Sequence, residues 1–240
     1  MSLALRARIW IRRVAVVLLA SIVALQLWFF GWIVFWKWHN PAQTAFMQRE
    51  LERAGRQAHS GAPQRAPTLQ KVWVDYSRIS PNLKRAVVTS EDARFVNHEG
   101  IDWQAMEKAY SDNVRRGRAV RGGSTISQQL AKNLFLTAHR SYLRKAQELI
   151  ITLMIEAIWD KRRILEVYLN VVEWGDGVFG AEAAARHYFG VSALYLDSNQ
   201  AARMAAMLPS PRFFDHHRDA VYLSQRAETI ETTMSSAQIP

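Results

Sequence analysis

A mainly α-helical domain behind one N-terminal membrane-spanning helix is the fold class this sequence predicts, and two observations carry it. Positions 14–36 form an uncharged apolar run of 23 residues, and from position 81 onward successive segments repeat apolar residues at helical spacing. The length of 240 residues allows one catalytic domain and a short appendage. With 49% hydrophobic and 22% charged residues the chain has enough apolar side chain for a real core. Cysteine is absent, which excludes disulfide staples, thiolate zinc sites and a cysteine nucleophile.

The apolar run reads VAVVLLASIVALQLWFFGWIVFW. As a helix it would be about 34 Å long, enough to cross a hydrocarbon core of about 30 Å with some tilt. Arg6, Arg8, Arg12 and Arg13 precede it, so residues 1–13 form a basic tail expected to stay in the cytoplasm, and the rest of the chain is expected outside. Trp28, Trp32, Trp36 and Trp38 crowd the far end, where amphipathic rings settle among lipid headgroups. A cleaved signal peptide would have a shorter apolar stretch followed by small residues; here Trp and Phe stand instead, which predicts an uncleaved anchor at 14–36. The net charge is +10, and beyond the anchor 27 basic residues still face 21 acidic ones. That surplus points to an anionic partner. Outside the cell membrane, nucleic acid is not expected, so lipid headgroups or a lipid-linked phosphate fit best.

Residues 37–70 read as a juxtamembrane stalk, with a short polar helix at 42–58 and a Gly/Pro-rich loop at 60–67 (SGAPQRAP). The outer domain is expected at 71–240. It opens with a candidate strand at 71–79 (KVWVDYSRI), after which Ser80 and Pro81 supply an N-cap and a first helical residue. Helices are expected at 81–92, 103–115, 125–136, 142–160, 162–172, 181–189 and 198–208, the last stopped by Pro209 and Pro211.

Four patterns bear on chemistry. Leu83, Val87, Glu91 and Phe95 follow one another at i+4, so a carboxylate stands on an otherwise apolar face. Desolvation there would raise its pKa and suit it to act as a general base; alternatively Glu91 caps its helix or pairs with Arg94. In RGGSTISQQLAKN (121–133) Thr125 and Gln128 have capping-box spacing, and Gly123 stands where a nucleotide P-loop needs Lys. Gln128, Gln129 and Lys132 share one side of that helix, offering donors and a cation to a sugar phosphate. In the helix after Tyr142, Arg144, Glu148, Thr152, Glu156 and Asp160 make a polar stripe along an apolar middle that should be buried on most sides. The stripe could be a solvated face with local ion pairs, but Arg140, Arg144 and Lys145 at its start favour acids set beside cations in a pyrophosphate cleft. His216 and His217 have no carboxylate at metal-ligand spacing, and the glycines of GDGVFGAEAAARHYFG read most simply as a tight loop before a small-residue helix.

With these residues assembled, the chain resembles the monofunctional biosynthetic peptidoglycan transglycosylases, relatives of the glycosyltransferase domain of bifunctional penicillin-binding proteins. The resemblance rests on five ordered blocks: SEDARFVNHEG (90–100), RGGSTISQQLAKN (121–133), RKAQE (144–148), KRRILEVYLN (161–170) and GVFGAEAAARHYFG (177–190). It implies a lysozyme-like α fold that polymerises lipid II with inversion at the MurNAc anomeric carbon, giving β-1,4-linked strands and releasing undecaprenyl pyrophosphate. It further implies that Glu91 is the catalytic base and that Glu148 is a second catalytic acid organising the donor site. Lys132, Arg140 and Lys145 would cradle the pyrophosphate, with Ser124, Thr125, Gln128 and Gln129 lining the cleft. Gln147 stands where relatives often carry Lys. Expected partners are lipid II, the growing strand, the bacterial inner membrane and other wall-synthesis or division proteins, with the catalytic domain in the periplasm. No organic cofactor is implied; a divalent cation such as Mg or Mn is compatible with a pyrophosphate, although no ligand cluster stands out in the sequence. Neither SxxK nor KTG occurs, so no transpeptidase activity is expected. Two alternatives remain at this point: a lytic enzyme of the same fold, since two carboxylates also serve hydrolysis, and a non-catalytic membrane scaffold.

Overall fold

The computed structural model describes residues 3–59, 69–117, 123–137 and 141–240. Arg140 and the loop expected at 60–67 therefore lie outside the described residues, as does the start of the 121–133 block. The chain divides into two compact units, Met1–His39 and Asn40–Pro240.

The first unit is one helix, α1 (Leu3–Trp36), of which Arg6–Trp36 is long and apolar enough to cross a membrane. The basic tail thus continues the same helix. Along its last turns Trp28 meets Trp32 edge to face at 5.9 Å, and Trp32 meets Trp36 at 5.1 Å, an i+4 ladder of rings.

The second unit is mainly α, as expected. Helix α2 (Ala45–His59) opens it and packs on α5 (Ile126–Phe135) with Met47 fully buried. Part of the expected stalk is therefore packed onto the domain; Lys71 ties down its approach by donating to the Pro41 and Ala42 carbonyls at 2.6 and 2.8 Å. Helix α3 (Pro81–Glu91) starts as expected, with Ser80 accepting from the Asn82 N–H and Pro81 at the first turn. It packs on α9 (Ser198–Met207), which also carries α11 (Val221–Thr233) on another side. The alanines at 201, 202, 205 and 206 in α9 are all fully buried, and their small side chains let the neighbouring helices approach closely. Helix α5 packs on α6 (Tyr142–Ile158) and on α7 (Lys161–Val171), while α4 (Trp103–Arg116) follows α3 in the chain.

A small sheet closes one side, in the order β1 (Gln70–Lys71), β3 (Val178–Phe179), β2 (Glu173–Gly175), with β1 parallel to β3 and β2 antiparallel to it. Helices α8 (Ala181–Phe189) and α10 (Pro211–His216) flank it. Gly180 joins β3 to α8 at φ 85°, and a Cβ there would lie 2.7 Å from the Asn170 carbonyl oxygen, so only glycine fits.

Three expectations need correction. The strand expected at 71–79 pairs only through residue 71, because the Asn170 side chain takes over the next rungs: it accepts from the Val74 N–H and donates to the Val74 carbonyl, both at 2.9 Å. Beyond Pro211, where no helix was expected, α10 and α11 form; α11 has only a weakly amphipathic pattern, and packing on α9 holds it. The apolar middle of α6 is not buried on most sides: Ile151 and Ile155 are buried together with Glu148 and Thr152, whereas Ile150 and Leu153 are exposed.

Candidate active site

Glu91 is the last residue of α3. Leu83, Val87 and Phe95 on the same face are fully buried, and Glu91 ends that stripe half-buried, where the face opens onto a cavity of about 780 Å³. Its neighbour Asp92, also in the cavity lining, is buried and tied to other groups. The Asp92 carboxylate accepts from the Ile126 N–H at 3.0 Å and meets His98 Nε2 at 2.9 Å. The first gives one of the unpaired N–H groups at the start of α5 an acceptor and joins that helix to the end of α3. Thr125 completes the junction: its hydroxyl donates to the Gly100 carbonyl at 2.6 Å and forms a capping box with Gln128.

With α5 fixed in this way, Gln129 faces Glu91. The Gln129 amide donates to Glu91 Oε2 at 2.8 Å, while its oxygen accepts from the Tyr168 hydroxyl at 3.1 Å. Tyr168 is fully buried, and burial first, then the nearby charges of Glu91 and Asp92, push its pKa well above 10. It therefore stays a donor, which fixes the amide of Gln129 with its NH₂ towards the carboxylate. Ser90 lies within 3.3 Å of the other oxygen, Glu91 Oε1.

Of the residues singled out in the sequence, Ser124, Thr125 and Gln129 line the cavity with Glu91. Gln128 does not. It is buried, with its side-chain oxygen accepting from the Thr125 N–H at 3.2 Å, so it shapes the helix start rather than the cleft surface. Glu148 lies on α6, buried, held by Arg144 at 2.7 Å and by Lys145. Lys132 sits on α5 with its ammonium 5.8 Å from the Phe46 ring of α2. Burial lowers its pKa most; Glu148 and Glu91 pull it back up, and Arg144 and Lys145 push it down. Lys132, Arg144, Lys145 and Glu148 thus form one charged cluster between α5 and α6, next to the Glu91 cavity and not part of its lining.

Arg94, considered above as a partner of Glu91, instead pairs with Asp102 at 3.7 Å in the cavity wall. Several residues of this region were not singled out by sequence reasoning: Lys108 and Arg226 add cations to the cavity wall, and Phe46 and Tyr168 support Lys132 and Gln129. Arg226 is 136 residues from its partner Ser90, and no local pattern marks it. For a metal, Asp92, His98 and Asp102 bring ligand atoms within 4.8 Å of one another. Their carboxylates already have structural work: Asp92 holds Ile126 and His98, and Asp102 caps α4 by accepting from the Ala105 N–H at 2.9 Å. These contacts account for the trio without an ion.

An α-helical domain in which a helix-end carboxylate opens onto a cavity beside a cluster of cations is suited to enzymes that transfer or cleave glycosyl groups. A family model described as "Transglycosylase" matches residues 61–235, and the chain belongs to that family. It is 54% identical over 231 residues to a biosynthetic peptidoglycan transglycosylase of Laribacter hongkongensis, covering 96% of this chain and 99% of that one. Proteins of the same name from Herminiimonas arsenicoxydans and Dechloromonas aromatica are 56% and 49% identical over 219 and 231 residues, covering 91% and 96% of this chain and 92% and 97% of theirs.

Proposed function

We propose that the protein is a membrane-anchored peptidoglycan glycosyltransferase that polymerises lipid II into β-1,4-linked glycan strands. The observation that carries this reading is Glu91, a carboxylate that among the described residues is held by uncharged donors, Gln129 and Ser90, and is open to a cavity beside a cationic cluster. Among the described residues no cation pairs with it, which leaves it open to a substrate hydroxyl.

In the reaction, Glu91 removes the proton from the 4-hydroxyl of the acceptor sugar as that oxygen attacks C1 of the donor's MurNAc. The C1–O bond to pyrophosphate breaks on the opposite face, the configuration inverts, and the proton stays on Glu91. The leaving group departs as an anion and needs cations more than a general acid. Lys132 and Lys145 stand on the helices that supply them, and Arg140 is assigned with them. Glu148 holds Arg144 and Lys145 in place. Ser124 and Thr125 are assigned to the cleft wall. The four arginines before the apolar run favour a cytoplasmic N-terminus and a periplasmic catalytic unit. Without SxxK or KTG in this sequence, the reaction ends at the uncross-linked strand.

The test is to incubate the purified full chain with lipid II. Long glycan strands are expected from the wild type and none from Glu91→Gln. Shortening of preformed strands would instead support a lytic enzyme, and full wall-synthesis function in Glu91→Gln would support a scaffold.

A further inference from the structure

The two oxygens of Glu91 are held from opposite sides. Gln129 on α5 donates to Oε2 at 2.8 Å, as described. On the other side stands a helix that no sequence block announced: α11 packs on α3 and α9 and brings Arg226 to the last turn of α3. There Arg226 Nη2 donates to Ser90 Oγ at 3.0 Å. The Ser90 hydroxyl has one proton to give and two acceptors in reach, Glu91 Oε1 at 3.3 Å and the Ala205 carbonyl at 3.4 Å.

Arg226 is an unusual cation for a folded domain. It is half-buried, its Nε is buried without a hydrogen-bond partner, and among the described residues it forms no ion pair with a carboxylate. Arg226 and Ser90 both line the cavity that Glu91 faces. A guanidinium without a counter-ion, one hydroxyl away from the reactive carboxylate, has a clear electrostatic effect. By donating to Oγ it polarises the Ser90 O–H and favours its turning towards the negative carboxylate over the neutral Ala205 carbonyl.

We infer that Arg226 is a positioning residue for the base, acting on Glu91 through Ser90, so that α11 and α5 together fix the carboxylate's orientation. The inference rests on the reading of Glu91 as the base. Arg226 sharpens the placement of that carboxylate and makes no contact with the sugars.

The experiment is a double-mutant cycle in the full chain, with lipid II as substrate and strand synthesis as the readout. It compares wild type, Arg226→Gln, Ser90→Ala, the double variant, Ser90→Thr and Glu91→Gln. Each of the first two single variants should lower kcat by about 10- to 100-fold, the effect of an ångström-scale misplacement, with KM changed less than about twofold. The double variant should be no worse than the worse single variant, because both remove one chain of contacts. Ser90→Thr, which keeps a hydroxyl, should restore most of the rate. Multiplying losses in the double variant would overturn the inference, as would wild-type rates in Arg226→Gln. A raised KM with unchanged kcat would also overturn it and place Arg226 on an anionic group of the substrate. If Arg226→Gln does not fold, Arg226→Lys takes its place in the same cycle. Activity in Glu91→Gln would sink the base reading itself, whereas an inactive Glu91→Gln with multiplying losses would sink only the role of Arg226.

Discussion

Glu91 and Glu148 are both acids on helices beside one cationic region, yet their surroundings differ in kind. Glu148 is buried and clamped by two cations, Arg144 at 2.7 Å and Lys145. Glu91 is half-buried, faces a cavity and is held by an amide and a hydroxyl. A buried carboxylate bonded to two cations serves to fix those cations. One held by an amide and a hydroxyl at the edge of a cavity stays accessible to a substrate. The difference supports the proposed division of labour, with Glu91 placed to meet a substrate hydroxyl and Glu148 tied to its two cations.

The largest effect that would break this comparison comes from Glu91→Gln. Strand synthesis should fall by about 10²- to 10⁴-fold, the usual contribution of a positioned general base, while the melting temperature moves by less than about 2 °C. Glu148→Gln should reverse the balance. Removing one partner from a buried pair costs about 3–5 kcal/mol, less here because the Lys145 side chain is 46% exposed. A drop in melting temperature of about 3–10 °C is expected, together with weaker donor use. Equal melting temperatures for the two variants would show that the acids are not differently held.

Lys132→Ala sharpens the comparison further. Losing one charge-assisted contact should raise the KM for donor about tenfold, with a smaller effect on kcat. Steady-state kinetics and a melting curve check this; an unfolded variant would show that Lys132, packed beside Phe46, serves structure first.

The smallest effect concerns a third acid with too little positive charge. Burial, with Glu50 and Asp176 adding to it, pushes Glu173 up to about 8 against the opposing pull of Arg53 and the Gly177 N–H. Arg212 donates to Glu173 at 2.7 Å, but the same guanidinium also serves Glu50 at 2.5 Å, and it does not offset burial beside two other acids. Because the folded pKa lies above the unfolded value of 4.5, the contribution of Glu173 is complete below pH 4.5 and is lost as pH rises through 8. Glu173→Gln should therefore lose less melting temperature than the wild type between pH 5 and about 8.5. Parallel pH curves for the two proteins would contradict it.

Much of the site could be read along the chain because its signals are local. The apolar run at 14–36, the i+4 placement of Glu91 and the Thr125–Gln128 capping spacing each depend on a few neighbouring residues, and each appears in the structure. Gln129 and Lys132 followed from the same helix periodicity. Assigning Gln128 to the cleft went beyond what its spacing supports, since its side chain is occupied in the cap. The turn of α6 was open in the sequence, and only packing chose the buried side.

Local spacing therefore determined the apolar N-terminal helix, the helical class and the place of Glu91 at the end of its face, because helix period and capping act over three or four residues. The tertiary structure alone decided what holds those groups. Arg226 meets Ser90 across 136 positions, Tyr168 meets Gln129 across 39, and α2 packs beside Lys132. Such contacts arise from the packing of α11 on α9, of α7 on α5 and of α2 on α5, and nothing in the residues between the partners encodes them.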